Sequence, residues 1–175
     1  MCYTIGKRMN RKHYLFLLLL RLGMGWLFVY AGISKIVNPN WTAAGFLQSS
    51  KMLSNIYGWF ALPGNIIFVD FLNEWGLTLI GVALIVGAAV KYASYFGILL
   101  MLLYYFPTLE FPYAGGHSFI VDEHVIYILV FLLFIGTRSG EMWGVDRYLK
   151  DHHILVKNRE KEVLEKEEKG GVLET

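Results

Sequence analysis

The sequence predicts an all-α fold: a membrane-spanning antiparallel four-helix bundle with N and C termini cytoplasmic and a partly helical external loop between helices 1 and 2. Three observations predict it. Of the 175 residues, 55% are hydrophobic and only 17% charged, whereas a soluble domain carries about 25% charged residues, so the surplus apolar surface has to meet lipid. Most of the apolar residues gather in four stretches close to the roughly 20 residues that a membrane helix needs. The Lys and Arg residues flanking those stretches lie almost all on one side.

The first stretch runs from about Tyr14 to Val37, interrupted by Arg21 and closed by Ser34 and Lys35. The second runs from about Phe71 to Val90 and the third from Tyr92 to about Leu109, with only Lys91 between them, which implies a tight hairpin. The fourth, from about Phe119 to Ile135, is the shortest and begins among acids. Lys7, Arg8, Arg11, Lys12, Lys91, Arg138, Arg147 and Lys150 flank one face and Lys51 alone flanks the other. Eight against one places both termini in the cytoplasm, because basic flanks stay inside. The basic start mimics a signal peptide, but the run is long, contains Arg21 and lacks a small-x-small cleavage site, so it reads as a retained anchor.

Residues 38–70 form a long external connection carrying Trp41, Phe46, Tyr57, Trp59 and Phe60. Connections of that length are functional or disordered, and this one is too apolar for disorder. It reads as short helices on the membrane surface, a lid. The membrane domain accordingly covers 1–149, with a polar, charged cytoplasmic tail over 150–175. In that tail Glu162–Lys166 and Glu165–Lys169 have the spacing that supports a solvated helix. No internal repeat is present.

Several functions are excluded. A net charge of +2 is too small to point to nucleic acid. Cys2 is the only cysteine, which removes internal disulfides, CxxC chemistry and cysteine-held metals. Haem between two histidines on different helices is not expected, because His124, with His117 just before it, is the one histidine beside a span on the outer side and His13 sits at the opposite face. A metal held by His117, His124 and the acids would have no recognisable ligand spacing. Neither haem nor metal is expected.

The ionisable residues in the spans carry the functional signal, because a charge at bilayer depth is costly and faces a partner helix or a watery cavity. On the first helix Arg21, Gly25, Phe28, Gly32 and Lys35 alternate by four and three, so they share one stripe. Its two glycines let another helix approach closely. Glu74, Thr78, Gly81, Ile85 and Ala88 form a matching stripe on the second helix. Lys35 lies about 21 Å beyond Arg21 along the first helix, so Arg21 belongs to the cytoplasmic side and Lys35 to the outer side. Helices 2 and 4 enter from outside, which brings Glu74, Asp122 and His124 to the level of Lys35, beside Glu123. This cluster beneath the aromatic lid is the expected site, with Lys35, Glu74, Asp122 and His124 as catalytic candidates and Lys35, His117, Trp41 and Tyr127 as substrate-binding candidates. Arg21 forms a structural or second site.

Each residue also has a plainer reading. Asp70 and Asp122 suit helix N-caps, and Lys35 could snorkel to the interface. Arg21 suits an anchor reaching lipid phosphates or a backbone carbonyl, and Glu74 a first-turn acid facing water. His117 follows Gly115 and Gly116 as a loop histidine would, and His124 could be structural. The Trp and Tyr residues near helix ends suit an aromatic belt.

The segment RLGMGWLFVYAGISK from Arg21 to Lys35, followed by Pro39 and Trp41, resembles the opening helix of the DoxX/DoxD membrane family. The resemblance continues through NEWGLTLIG at 73–81, VDEHVIY at 121–127 and RSGEMWGVDRYL at 138–149, in the right order over nearly all of 15–150. It implies a four-helix bundle in the cytoplasmic (inner) membrane of a prokaryote. It further implies the DoxD role: the membrane subunit of a thiosulfate:quinone oxidoreductase, working with a small companion subunit or another redox partner protein. Such a subunit oxidises thiosulfate to tetrathionate and passes electrons to quinone, its diffusible acceptor.

Two functions follow from different classes. In the first, His124 and Lys35 donate to a quinone oxygen, Glu74 and Asp122 accept or relay protons, and Lys35 with His117 holds the thiosulfate dianion. In the second, the charged cluster only fixes helix packing in a scaffold that recruits a redox partner. A small-solute transporter is the weaker third reading, since inverted repeats and broken helices are missing. The chain suits an oligomer as well as a single unit.

Overall fold

A computed structural model describes residues 11–114 and 118–152. The described residues are mainly helical, with one small sheet. Helix α1 spans Arg11–Ile36; α2 (Ala44–Gln48) and α3 (Ser54–Phe60) are short; α4 spans Pro63–Val86, α5 Val90–Thr108 and α6 Glu123–Thr137. Strands β1 (Leu109–Glu110), β2 (Tyr113–Ala114) and β3 (Ser118–Phe119) form an antiparallel sheet in that order, with Leu109 opposite Ala114 and Tyr113 opposite Phe119. A 3-10 turn at Ser139–Glu141 and a helical stretch over 145–152 follow α6. The tail pairs at 162–169 lie outside the described residues.

The two long apolar helices α1 and α4 pack along each other, α5 packs along α6, and α4 meets α5. The stripe expected on α1 is the packed one: Arg21, Gly25, Phe28 and Gly32 are buried and Lys35 is half-buried. Its match on α4 holds for Glu74, Thr78, Gly81 and Ile85, while Ala88 falls beyond the end of the helix at Val86. A Cβ at Gly25 would lie 2.7 Å from the Ile85 side chain and 3.0 Å from the Gly81 carbonyl, and one at Gly32 would run into Thr78. Small residues thus set the α1–α4 distance, as expected where lipid supplies no hydrophobic drive between helices. Beside this seam lies the main core, built on Met24, Phe28, Leu77, Leu84, Met101 and Phe131. The Phe28 and Phe131 rings meet edge to face at 5.3 Å, and Gly97 leaves the room that Phe131 fills.

Several boundaries differ from the sequence expectation. Helix α4 begins at Pro63, eight residues before Phe71, because proline at the first helical position needs no amide partner and presets φ. The lid is correspondingly shorter than 38–70. Asp70 therefore does not cap a helix start; it lies inside α4 and accepts a 2.8 Å hydrogen bond from the Ala43 amide at the entry of α2. Lys91 is not the turn between the second and third helices either. The break is at Gly87 (φ 73°), Ala88 and Ala89 (φ 51°), and Lys91 sits in the first turn of α5. The Asp146 carboxylate satisfies that helix start by accepting from Ala89 N (2.6 Å) and Val90 N (3.1 Å), an interaction of residues 57 and 56 positions apart that no local pattern announces. Helix α6 begins at Glu123 rather than Phe119, which belongs to β3.

Two helices, Lys12–Ile36 and Pro63–Val86, are long and apolar enough to cross a membrane by length and composition, and α6 is a shorter apolar helix. Large side chains such as Phe16, Trp26, Ile67, Phe68, Phe96 and Leu129 point outward. An apolar exterior of that extent requires a covering.

Candidate functional site

One cavity of about 320 Å³ gathers polar groups from separate helices: Lys35 from α1, Tyr104 from α5, and Glu123, His124 and Tyr127 from α6, walled by Phe28, Leu77 and Met101. Lys35 Nζ donates to the Tyr104 hydroxyl at 3.3 Å. It also stands 5.1 Å from the Trp41 ring centre and 5.5 Å from that of Tyr104, a placement that draws an ammonium to the electron-rich ring faces. Tyr104 OH donates in turn to Asn73 Oδ1 at 2.5 Å. An ammonium can only donate, so the tyrosine proton must point onward to Asn73. The chain Lys35 → Tyr104 → Asn73 therefore has one direction.

On the other wall, His124 Nδ1 lies 2.6 Å from Asp122 Oδ2, with both side chains largely sheltered. The same carboxylate accepts from Val125 N through Oδ1 at 3.2 Å, so Asp122 is the N-cap of α6 and the orienter of His124 at once. The His124 ring stands 5.8 Å from that of Tyr104, and Tyr127 OH donates to Glu123 Oε2 at 3.5 Å.

Of the sequence candidates, Lys35, His124 and Tyr127 share this cavity, Asp122 reaches it through His124, and Trp41 covers Lys35 from the lid. Glu74 does not line it. That residue is half-buried on α4 and forms no ion pair among the described residues, although its charge reaches Lys35. His117 lies outside the described residues. No group of three His, Cys, Asp or Glu among the described residues is placed to hold a metal ion.

Arg21 is remote from this cluster, fourteen residues before Lys35 on α1. It is 2% exposed and donates to the carbonyls of Ser139 (2.8 Å) and Trp143 (2.5 Å), joining α1 to the segment after α6. Of the two anchors considered for it, the carbonyl is the one used.

Tyr104 and Asn73 were missed. Each had a signal: Val90, Ser94, Gly97, Met101 and Tyr104 alternate by four and three, as do Asn73, Leu77, Ile80 and Leu84. Both stripes face inward, and a polar residue at the end of such a stripe is a buried polar group in need of a partner.

The lid closes over a second cavity of about 120 Å³, lined by Leu47, Phe60, Val69 and Leu103 among others, with Asn73 and Tyr104 at its edge. Tyr57 fixes the lid by donating to the Leu103 carbonyl at 3.3 Å. Burial holds the Tyr57 phenol above the ordinary tyrosine value of about 10. Its folded pKa is thus raised, so its contribution to stability is complete below the unfolded value and is lost as pH rises through the folded one. Alkaline titration should loosen the lid, and Tyr57→Phe should flatten the alkaline limb of the unfolding curve; an unchanged limb would remove Tyr57 as its cause.

No curated protein and no solved structure matches the chain. The DoxX family model matches residues 16–108, more than half of the chain, from the glycine-bearing stripe of α1 to the last residue of α5, and so includes Lys35, Asn73 and Tyr104. The chain belongs to the DoxX family.

Proposed function

We propose that this chain is the membrane subunit of a quinone-linked oxidoreductase that oxidises thiosulfate and passes the electrons to the quinone pool of a prokaryotic cytoplasmic membrane. In this reading four helices cross the bilayer with both termini in the cytoplasm, in keeping with the basic flanks, and the Lys35–His124 cavity lies near the outer face. A small companion subunit or redox partner completes the enzyme.

The observation that supports this reading most is the convergence of a sheltered ammonium, a carboxylate-held imidazole and a phenol, from three helices, in one cavity inside an apolar shell. Two thiosulfates joining as tetrathionate release two electrons, and a quinone taking two electrons and two protons becomes a quinol. Lys35 supplies the positive charge that a dianion needs. With Nδ1 held by Asp122, His124 keeps Nε2 for proton exchange, and Tyr104 links the two walls.

Thiosulfate-dependent reduction of a soluble quinone by the purified chain, with and without co-purified partners, tests the proposal. Lys35→Ala should raise the KM for thiosulfate about tenfold, the loss of one charge-assisted contact. Absence of reduction with every co-purified partner present would favour the scaffold instead. In that case Lys35→Ala would change partner retention alone.

A further inference from the structure

We propose that the lid cavity binds the ring of a lipid-tailed, single-ring molecule, a benzoquinone in preference to a two-ring naphthoquinone, and that the tail leaves between α4 and α5. The redox identity of this ligand rests on the function proposed above; the site itself rests on geometry.

Size comes first. An apolar cavity of about 150 Å³ holds one benzene ring, and the space under α2 and α3 is about 120 Å³. It suits one ring and is small for two fused rings. Chemistry comes second. No charged side chain lines the cavity, which disfavours a hydrophilic ion, while Asn73 and Tyr104 offer polarity at one edge. Because Lys35 donates to Tyr104 and Tyr104 to Asn73 Oδ1, the Asn73 NH2 is the donor that remains for a ligand carbonyl. An apolar pocket with one or two fixed polar groups is the usual form of a small-molecule site.

The exit comes third. Leu72, Leu100 and Leu103 line both this cavity and a groove of about 550 Å³ between α4 and α5. No charged side chain lines the groove, and Leu79, Phe96 and Leu99 along it are 60%, 64% and 55% exposed on the apolar exterior. Its wall includes Gly76, where an added Cβ would meet nothing within 4 Å. A hydrocarbon chain entering sideways from lipid would therefore run along the groove and deliver its ring beneath the lid. Tyr104 then stands as the shared wall, with the apolar ligand on one side and Lys35 and His124 on the other.

The test uses the full chain in lipid nanodiscs, titrated with decyl-benzoquinone, with tail-less methyl-p-benzoquinone and with a decyl-naphthoquinone, and read by tryptophan quenching. Gly76→Leu fills open space and should fold. It should weaken decyl-benzoquinone binding about tenfold, the effect of excluding two methylenes, and leave methyl-p-benzoquinone unchanged. Asn73→Leu should weaken both about tenfold, and Leu19→Trp on the outward face of α1 should weaken neither. Equal loss of the tailed and tail-less compounds in Gly76→Leu, or no loss of either, would overturn the route. Naphthoquinone binding as tight as benzoquinone binding would overturn the ring assignment. If decyl-benzoquinone binds but only His124→Ala disturbs it, this site falls and the redox function stands. If the pattern holds but the quinone is never reduced, the site stands and the redox function falls. No binding at all would remove both.

Discussion

His124→Ala is expected to lower quinone reduction at least about 100-fold, the contribution of a positioned acid–base group, with little change in thermal stability. The imidazole is sheltered at the start of α6 and its ring is not part of the main core, so the cost falls on the reaction. Asp122 needs a subtler substitution, because its carboxylate both caps α6 and holds His124 Nδ1. Removing the cap altogether costs about 1 kcal/mol. Asp122→Ser keeps a capping oxygen and removes the carboxylate, so it should retain the melting temperature and still lose most of the rate. Kinetics of purified His124→Ala and Asp122→Ser beside their melting curves would check this. Parent-like turnover in both would exclude the dyad from catalysis.

Gly81→Leu should produce the largest structural effect. A Cβ at position 81 would lie 2.5 Å from the Val29 amide nitrogen and 2.6 Å from the Gly25 carbonyl oxygen. Both are backbone atoms of a regular helix, so they cannot rotate away as a side-chain end would. The helices must separate, and overpacking of this kind costs about 3 kcal/mol or more. Since Lys35 is carried by α1 and Asn73 by α4, separation should also break the Lys35–Tyr104–Asn73 chain. Gly76→Leu, on the open side of the same helix, is the matched control. Melting of the two variants in the same detergent should differ by several degrees; equal melting would show that the α1–α4 contact yields.

The same helix α4 shows how far the pattern was legible. Glu74, Thr78, Gly81 and Ile85 form the seam against α1, as the spacing indicated, because small residues at helical period admit close approach wherever they occur. The adjacent stripe from Asn73 to Leu84 turns into the main core, and Asn73 rather than Glu74 reaches the site. Two stripes one residue apart differ by about 100° around a helix, and charge drew attention to the one that faces α1 rather than the one that lines the cavities. On α5 the same omission hid Tyr104, whose aromatic ring fitted an interfacial belt equally well.

Hydropathy and periodicity alone determined the helical character, the two long apolar helices, the packed stripe of α1 and the acidic start of α6, because each follows from neighbours within a few turns. Tertiary structure alone decided that α5 starts at Val90, that Asp70 tethers the lid, that Asp146 caps a helix more than 50 residues away, and that Tyr104 joins two cavities. A buried polar group takes whichever partner the fold brings within hydrogen-bond distance. That distance is set by how whole helices pack, and no local pattern encodes it.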